Sequence, residues 1–160
     1  MVSPQIINSK ERKVIGINMT MSMANNHTST LWRTFMPRRM EVEGVTEDLI
    51  SMQIYLDSYF QNFNPTTEFT KWACKEVNNF DAIPDGMASF TIPEGDYAIF
   101  HYKGMPGDPS IFKYIFSEWL PKSNYQLDNR PHFEVLGSKY KQGSPNSEEE
   151  IWIPVRKTYL

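Results

Sequence analysis

The sequence predicts an α+β fold of two similar β-α-β-β halves that share one antiparallel sheet, with both helices packed on one side of it. The first observation is an internal echo, since the segment 31–38 (LWRTFMPR) resembles the segment 115–122 (IFSEWLPK). An offset near half of the 160 residues indicates duplication of one structural unit. The second observation is that strand and helix patterns follow in the same order in each half. Together they predict pseudo-twofold symmetry, with a ligand cleft at the seam between the halves.

In the first half, about residues 11–80, the pattern predicts strand, helix, strand, strand. The segment Val14–Met23 alternates as a strand does, and Asn25–Thr30 supplies side chains that can cap a helix. The apolar residues of the helix at helical spacing are Leu31, Trp32 and Phe35. The remaining two strands are predicted at Ser51–Tyr59 and Glu68–Val77 on either side of a polar turn.

The second half, about residues 87–157, opens with a pair of strands at Ala88–Ile92 and Tyr97–Tyr102. Asp108 and Pro109 then start a helix, because Asp caps free amides and Pro suits the first helical position. The apolar stripe of that helix consists of Ile111, Phe112, Ile115, Phe116, Trp119 and Leu120, and Pro121 is expected to close it. The last two strands are predicted at His132–Leu136 and Glu150–Val155.

Length and charge limit the classes to which the protein can belong. The 160 residues are expected to form a single domain, 1–160, with a sizeable core. A net charge of −3 argues against direct binding to nucleic acid, whose phosphates need a basic face. No apolar run is long enough to cross a membrane, and a lone cysteine, Cys74, fits a reducing compartment. We therefore expect a cytoplasmic protein without disulfides.

Motifs for metals and cofactors are absent from the sequence. The three histidines, His27, His101 and His132, lie far apart and lack metal-ligand spacing, so no metal is expected. Neither a phosphate-binding P-loop nor a dinucleotide fingerprint occurs, and no nucleophile elbow is present. The sequence therefore predicts a protein without a cofactor.

Several segments resemble the GyrI-like small-molecule-binding domain, which is also the effector-binding part of bacterial AraC-type and MerR-type transcription regulators. The resemblance spans nearly the whole chain, and it depends on the order of several short motifs. These motifs are Thr30–Trp32 with Phe35–Arg39, Asp96–Gly104, Glu118–Ser123 with Tyr125, Pro131–Glu134 and Glu150–Val155. The family resemblance implies the duplicated fold known as SHS2-like, with a hydrophobic cleft and a carboxylate at its floor.

Glu134 matches that carboxylate. In multidrug-binding members of the family, the carboxylate faces cationic aromatic compounds that are held between aromatic side chains. Alternation places His132, Glu134 and Leu136 on one face of their strand. On the final strand it places Glu150 beside Trp152. The resemblance therefore implies that Glu134 and Trp152 are the central pair of the ligand site. A carboxylate in an apolar cleft selects positive ligands, and aromatic faces add cation–π attraction.

Four further aromatic residues are candidates for the cleft. Tyr55 and Trp72 occupy first-half strands equivalent to those of Glu134 and Trp152, so symmetry places them across the cleft. A register shift of one residue would reverse their faces. Phe116 and Trp119 lie on the helical stripe, where core packing competes with ligand contact.

Three functions remain open. The first is a stand-alone effector-binding protein that captures hydrophobic, cationic aromatic compounds. The second is a hydrolase of strained cyclopropanoid compounds, in which Glu134, with Trp152 or Tyr55, activates water as a general base. The third is a protein-interaction module like the gyrase-inhibitory relatives. Because the first predicted strand begins near Glu11, we expect no separate DNA-binding domain before it, so gene regulation would need a DNA-binding partner.

Overall fold

Strands dominate the computed structural model, which describes residues 2–159. The strands are β1 (Gln5–Ser9), β2 (Arg12–Ser22), β3 (Leu49–Ile54), β4 (Glu68–Val77), β5 (Ala88–Ile92), β6 (Gly95–Lys103), β7 (Tyr125–Leu127), β8 (His132–Leu136) and β9 (Glu148–Lys157). The first helical segment is α1 (Thr28–Phe35) with a 3-10 continuation (Met36–Glu41). The second helical segment runs through α2 (Ser110–Tyr114), a π-helical stretch (Ile115–Trp119) and α3 (Leu120–Lys122).

The strands form one antiparallel sheet in the order β1-β6-β9-β8-β3-β4-β2-β5, and β7 pairs with β9 beside this path. The predicted α+β class with an antiparallel sheet is therefore confirmed. The middle of the sheet is the pairing of β3 with β8, which joins the two halves of the chain. Strands β4 and β9 flank this central pair on its two sides.

Polar side chains start both helical segments, as expected from the sequence. The side-chain oxygen of Asn26 accepts a hydrogen bond of 2.9 Å from the backbone N–H of Thr28. Asp108 does the same at 2.9 Å for Ser110, the first residue of α2. Leu31 and Phe35 bury the inner face of α1 against β2 and β4. The second helical segment packs on the same face, over the strands β6 and β9 in the other half of the sheet, through apolar contacts with Phe100, Ile151 and Ile153.

The structure departs from the sequence prediction at several places, which include the unpredicted strand β7 and Pro109, which precedes the first helical residue and does not occupy that position. The first strand begins at Gln5, ahead of the predicted start near Glu11, and pairs with β6 at the sheet edge. The predicted strand Ser51–Tyr59 ends at Ile54, because a turn closed by the hydrogen bond from Tyr59 N–H to the Leu56 carbonyl follows. Pro121 lies within α3 and does not close the segment, which continues to Lys122.

The two faces of the sheet have different coverings. Both helical segments lie on one face, which we call the helix face. On the opposite face, the cross-strand row Trp72–Met52–Phe133–Trp152 belongs to a buried apolar cluster. No helix in the described part of the chain has the length and apolar character needed to cross a membrane.

Candidate functional site

A row of paired residues across the helix face places Glu134 between the two helical segments. The pairing register runs from Ala73 on β4 to Ser51 on β3 and on to Glu134 on β8. It continues to Ile151 on β9 and Phe100 on β6. Ala73 packs in the core cluster that contains α1, whereas Ile151 and Phe100 pack under the second helical segment. The helix-face surface of β3 and β8 therefore lies between the two segments, and we call it the groove.

Glu134 is partly buried at the floor of the groove. Its Oε1 lies 3.4 Å from the side-chain Nε2 of Gln53, which donates a hydrogen bond to it. The pKa of Glu134 is raised to about 7, mainly by burial and also by the charge of Glu149, while the charge of Lys71 and the hydrogen bond from Gln53 oppose the shift. The carboxyl group is therefore half ionised near neutral pH. Its charge therefore changes within the neutral range of pH.

Gln53 and Ser51 hold the floor in place. Gln53 is 7% exposed, and its Nε2 also donates to the Ser51 hydroxyl at 3.2 Å. The amide is thus oriented with its donor side toward Glu134. Among residues 2–159, no cluster of His, Cys, Asp and Glu side chains is arranged to hold a metal ion.

Aromatic rings close one end of the groove. Tyr55 meets His132 edge to face with ring centroids 4.9 Å apart. The rings of Phe60, His132 and Phe116 form a triangle, in which Phe60 lies 5.3 Å from each of the other two at interplanar angles of 17° and 20°, and those two lie 6.2 Å apart. Burial and, to a smaller extent, the charge of Arg130 lower the pKa of His132 to about 3, so its ring is neutral at physiological pH. Burial together with the Glu134 charge raises the pKa of Tyr55, which keeps its hydroxyl protonated.

A pocket of about 850 Å³ opens on the outer side of this aromatic cluster. Tyr55, Phe60 and His132 form part of its wall, while Glu134 does not. The rest of the wall comes from the loop 56–61, the segment 120–130, Arg156 of β9 and Thr158. The aromatic cluster therefore lies between this pocket and the carboxylate.

The expected pairing of Glu134 with Trp152 is wrong, because the two side chains lie on opposite faces of the sheet. Glu134 is registered with Ile151, and Trp152 with Phe133, whose ring lies 4.9 Å away and nearly parallel at 23°. Successive residues of a strand alternate between faces, so a partner one residue along is on the other side.

Trp72 and Glu150 also lie on the opposite face. Trp72 is registered with Met52 in the row that contains Trp152. Glu150 accepts a hydrogen bond of 3.2 Å from the Trp152 indole N–H, and the Arg12 guanidinium lies 4.6 Å from the centre of the Trp152 ring. These residues form the back of the sheet and take no part in the groove.

The other candidate residues lie on the helix face. Tyr55 and Phe116 belong to the aromatic cluster at the groove end. Leu136 is registered with Leu49 on the helix face of β3. Trp119 packs edge to face on Phe100 at 5.1 Å, under the second helical segment. The structure therefore brings Glu134, Tyr55, Phe116 and Leu136 to one face, with Trp119 at its margin.

Sequence reasoning missed four residues around the carboxylate: Gln53, Lys71, Phe60 and Glu149. Gln53 and Lys71 interrupt otherwise apolar strands at helix-face positions and are registered with each other. Polar residues on the buried face of a strand need a partner, so this pattern is a signal that could have found them. Phe60 belongs to a loop, and its position depends on tertiary packing that no periodicity reports.

Comparisons with known proteins agree with this fold. The model of the Cass2 family, integron-associated effector binding protein, matches residues 5–155. The transcriptional regulator BrlR from Pseudomonas aeruginosa is 27% identical over 153 residues, which are 94% of this chain and 54% of BrlR. This chain thus spans about half the length of that relative.

Two solved structures share the fold. The structure of SAV2435 bound to tetraphenylphosphonium aligns with a TM-score of 0.72 at 15% identity, covering 96% of this chain and 93% of that one. The integron cassette protein from the mobile metagenome of Vibrio cholerae aligns with a TM-score of 0.69 at 17% identity, covering 96% of each chain. At these identities the likeness is one of fold.

Proposed function

Because the chain belongs to the family of integron-associated effector-binding proteins, we propose that it captures hydrophobic, cationic aromatic molecules in the groove between its helical segments. The observation that carries this proposal is the partly buried carboxylate of Glu134 at the groove floor, beside a cluster of aromatic rings. The likeness in fold to SAV2435, whose structure holds the lipophilic cation tetraphenylphosphonium, supports the same ligand class.

The physical basis is the low hydration of the carboxylate. Burial disfavours the ionised form of Glu134, and a cation that enters the groove replaces the lost hydration with direct attraction. Aromatic faces contribute about 0.5 to 2 kcal/mol for each well-placed cation contact. A neutral molecule of the same shape gains only the apolar part of this free energy, so the groove should prefer positive charge.

We also infer that the groove lies at the seam of two duplicated β-α-β-β units with pseudo-twofold symmetry. The sheet order supports this inference, because β1-β6-β9-β8 from one edge corresponds to β5-β2-β4-β3 from the other. In each half a helical segment follows the strand next to the edge, β2 or β6. The seam between such units is the pairing of β3 with β8, where Ser51 faces Glu134.

Isothermal titration calorimetry at pH 8 tests the proposal with two ions of similar shape and opposite charge, tetraphenylphosphonium and tetraphenylborate. We expect saturable binding of the cation and weak or no binding of the anion. Glu134→Gln should lower the affinity for the cation by about tenfold or more, which corresponds to the loss of one charged contact. The matched control is Glu150→Gln, which removes the same charge from the opposite face and should leave the affinity within about twofold.

Two results would contradict the proposal. One is the absence of saturable cation binding to the folded wild type. The other is an equal loss of affinity in Glu134→Gln and Glu150→Gln, since that would mean that the net charge of the protein attracts the ion and that the groove does not bind it.

A second candidate, hydrolysis, has one observation in its favour. A carboxyl group with a pKa of about 7 suits a general base at neutral pH, and the neutral Tyr55 hydroxyl is nearby in the same cluster. Mass spectrometry of strained cyclopropanoid compounds incubated with wild type and Glu134→Gln tests it. A product that forms only with the wild type would favour hydrolysis, and unchanged compounds would leave binding as the function.

A further inference from the structure

Lys71 places a positive charge on the same face as Glu134. It lies on β4, registered with Gln53 of β3 on one side and with Met19 of β2 on the other. Gln53 is in turn the residue that donates to the Glu134 carboxylate. Burial lowers the pKa of Lys71, whereas the charges of Glu134 and Glu149 raise it, so the ammonium interacts electrostatically with both carboxylates. The side chain is partly buried, and its charge therefore belongs to the groove.

The Lys71 ammonium has no partner among residues 2–159. No hydrogen bond and no ion pair within 4.0 Å engages it, and in particular none joins it to Glu134. Lys75, four residues further along the strand and on the same face, is different, because it is buried and donates to the Val42 carbonyl at 3.3 Å. Lys75 has a structural contact, while Lys71 keeps its donors available at the groove.

We propose that Lys71 determines ligand specificity by making the groove a site for zwitterionic aromatic molecules, in which the cation faces Glu134 and an anionic substituent faces Lys71. This inference rests on the proposed function, since it names a narrower class of ligand for the same groove. The observation behind it is the pair of opposite charges on one groove floor that do not neutralise each other by direct contact.

The two opposite charges discriminate between cationic and zwitterionic ligands in two ways. A molecule with only a positive charge meets attraction from Glu134 and repulsion from Lys71 within a partly desolvated site. A molecule that also carries a carboxylate or sulfonate converts that repulsion into a charge-assisted hydrogen bond. Specificity of this kind comes as much from the penalty on the wrong ligand as from the contact with the right one.

The dyes rhodamine 110 and rhodamine 123 test the inference. Rhodamine 110 carries a free carboxylate beside its cationic ring system, and rhodamine 123 is its methyl ester, a cation of nearly the same shape. Fluorescence anisotropy at pH 8 gives the affinity of each dye for wild type, Lys71→Met and the control Lys113→Met. Lys113 is exposed on α2, so the control removes the same charge outside the groove.

In the wild type we expect rhodamine 110 to bind more tightly than rhodamine 123. Lys71→Met should lower the affinity for rhodamine 110 by about tenfold and leave the affinity for rhodamine 123 unchanged or higher, which reverses the preference. Lys113→Met should keep the wild-type ratio of affinities. An unchanged ratio in a folded Lys71→Met protein that still binds rhodamine 123 would overturn the inference and leave the proposed function intact. Failure of the wild type to bind either dye would overturn both.

Discussion

Glu134 and Trp152 lie on opposite faces of the sheet, although the strands that carry them, β8 and β9, pair directly. The carboxylate is registered with Ile151 and lies on the groove floor, whereas the indole stacks on Phe133 in the core of the other face. The two residues therefore have separable effects on binding and on stability.

Trp152→Ala should lower the stability of the protein and leave the groove intact. Removal of a buried tryptophan that is 6% exposed should cost about 3 to 5 kcal/mol in the free energy of unfolding. The affinity of the folded variant for tetraphenylphosphonium should remain within about twofold of wild type. Urea denaturation and calorimetry at low temperature measure the two effects. A large loss of affinity in a folded variant would place Trp152 in contact with the ligand.

Cation binding should depend on pH with a midpoint near the pKa of Glu134. The carboxylate must be ionised to attract the cation, and its pKa is raised to about 7, so protonation competes with binding below that pH. The affinity should be constant above pH 8 and should fall about tenfold for each pH unit below 7. The neighbouring carboxyl of Glu149, whose pKa burial also raises, acts in the same direction.

Calorimetry from pH 5 to pH 8.5 measures this profile, with Glu134→Gln as the reference. The variant should show a nearly flat profile, because the dominant titrating group is gone. A wild-type affinity that is equal at pH 5 and pH 8 would contradict the assignment of Glu134 as the charge that binds the cation.

Glu134→Gln should stabilise the protein at alkaline pH. The folded-state pKa is about 7, above the ordinary value of 4.5, so ionisation opposes folding. The wild type therefore loses stability as pH rises from about 4.5 to 7, and the total loss is about 3 kcal/mol. The variant should be more stable than wild type by up to this amount at pH 8 and about equally stable at pH 4. Urea denaturation at the two pH values measures the difference, and Glu150→Gln is the matched control.

Phe60→Ala should increase the affinity for flat aromatic cations. Phe60 covers one side of the adjoining rings of His132 and Phe116, which lie 6.2 Å apart, although its own side chain is 40% exposed. A planar dye that stacks on these two rings competes with Phe60 for them, and the alanine variant removes that competitor. We expect a gain of a few-fold, roughly 0.5 to 1 kcal/mol, for rhodamine 123 measured by anisotropy.

The control for this prediction is Phe63→Ala, in the same loop. Phe63 is 56% exposed and contacts the Tyr59 ring at 5.9 Å, outside the stack. Its removal should leave the affinity unchanged. A loss of affinity in Phe60→Ala would show that the ring contacts the ligand and does not compete with it.

The sequence predicted the fold class and the order of its main elements, because alternation and helical spacing are local properties. Alternation also placed Glu134 and Leu136 on one face of β8 correctly. It could not decide which face of β9 matches that face, because the register between two strands depends on tertiary packing. For this reason Trp152 and Glu150 were expected beside Glu134 and were found behind it.

Other parts of the site were outside the range of local patterns. The short strands β1 and β7 form at the margins of the sheet through pairing with distant segments, so their own sequences carry little signal. Phe60 reaches the groove because the chain turns after Ile54, where alternation predicted five more strand residues to Tyr59. Lys71 was visible in the sequence as a charge within an apolar strand, but its relation to Glu134 required the pairing of β3 with β4 and β8.

The position of the tryptophans has a spectroscopic consequence. Trp72 and Trp152 are buried on the opposite face, Trp32 packs against Phe35, and Trp119 packs against Phe100. A ligand on the groove floor would thus quench the intrinsic emission mainly by energy transfer, which for Trp72 and Trp152 crosses the sheet, and little by contact. A coloured ligand would dim all four indoles in proportion to spectral overlap, and a colourless one would leave them bright. A Phe60→Trp substitution would place an emitting indole against His132 and Phe116, where occupancy of the groove changes its surroundings directly.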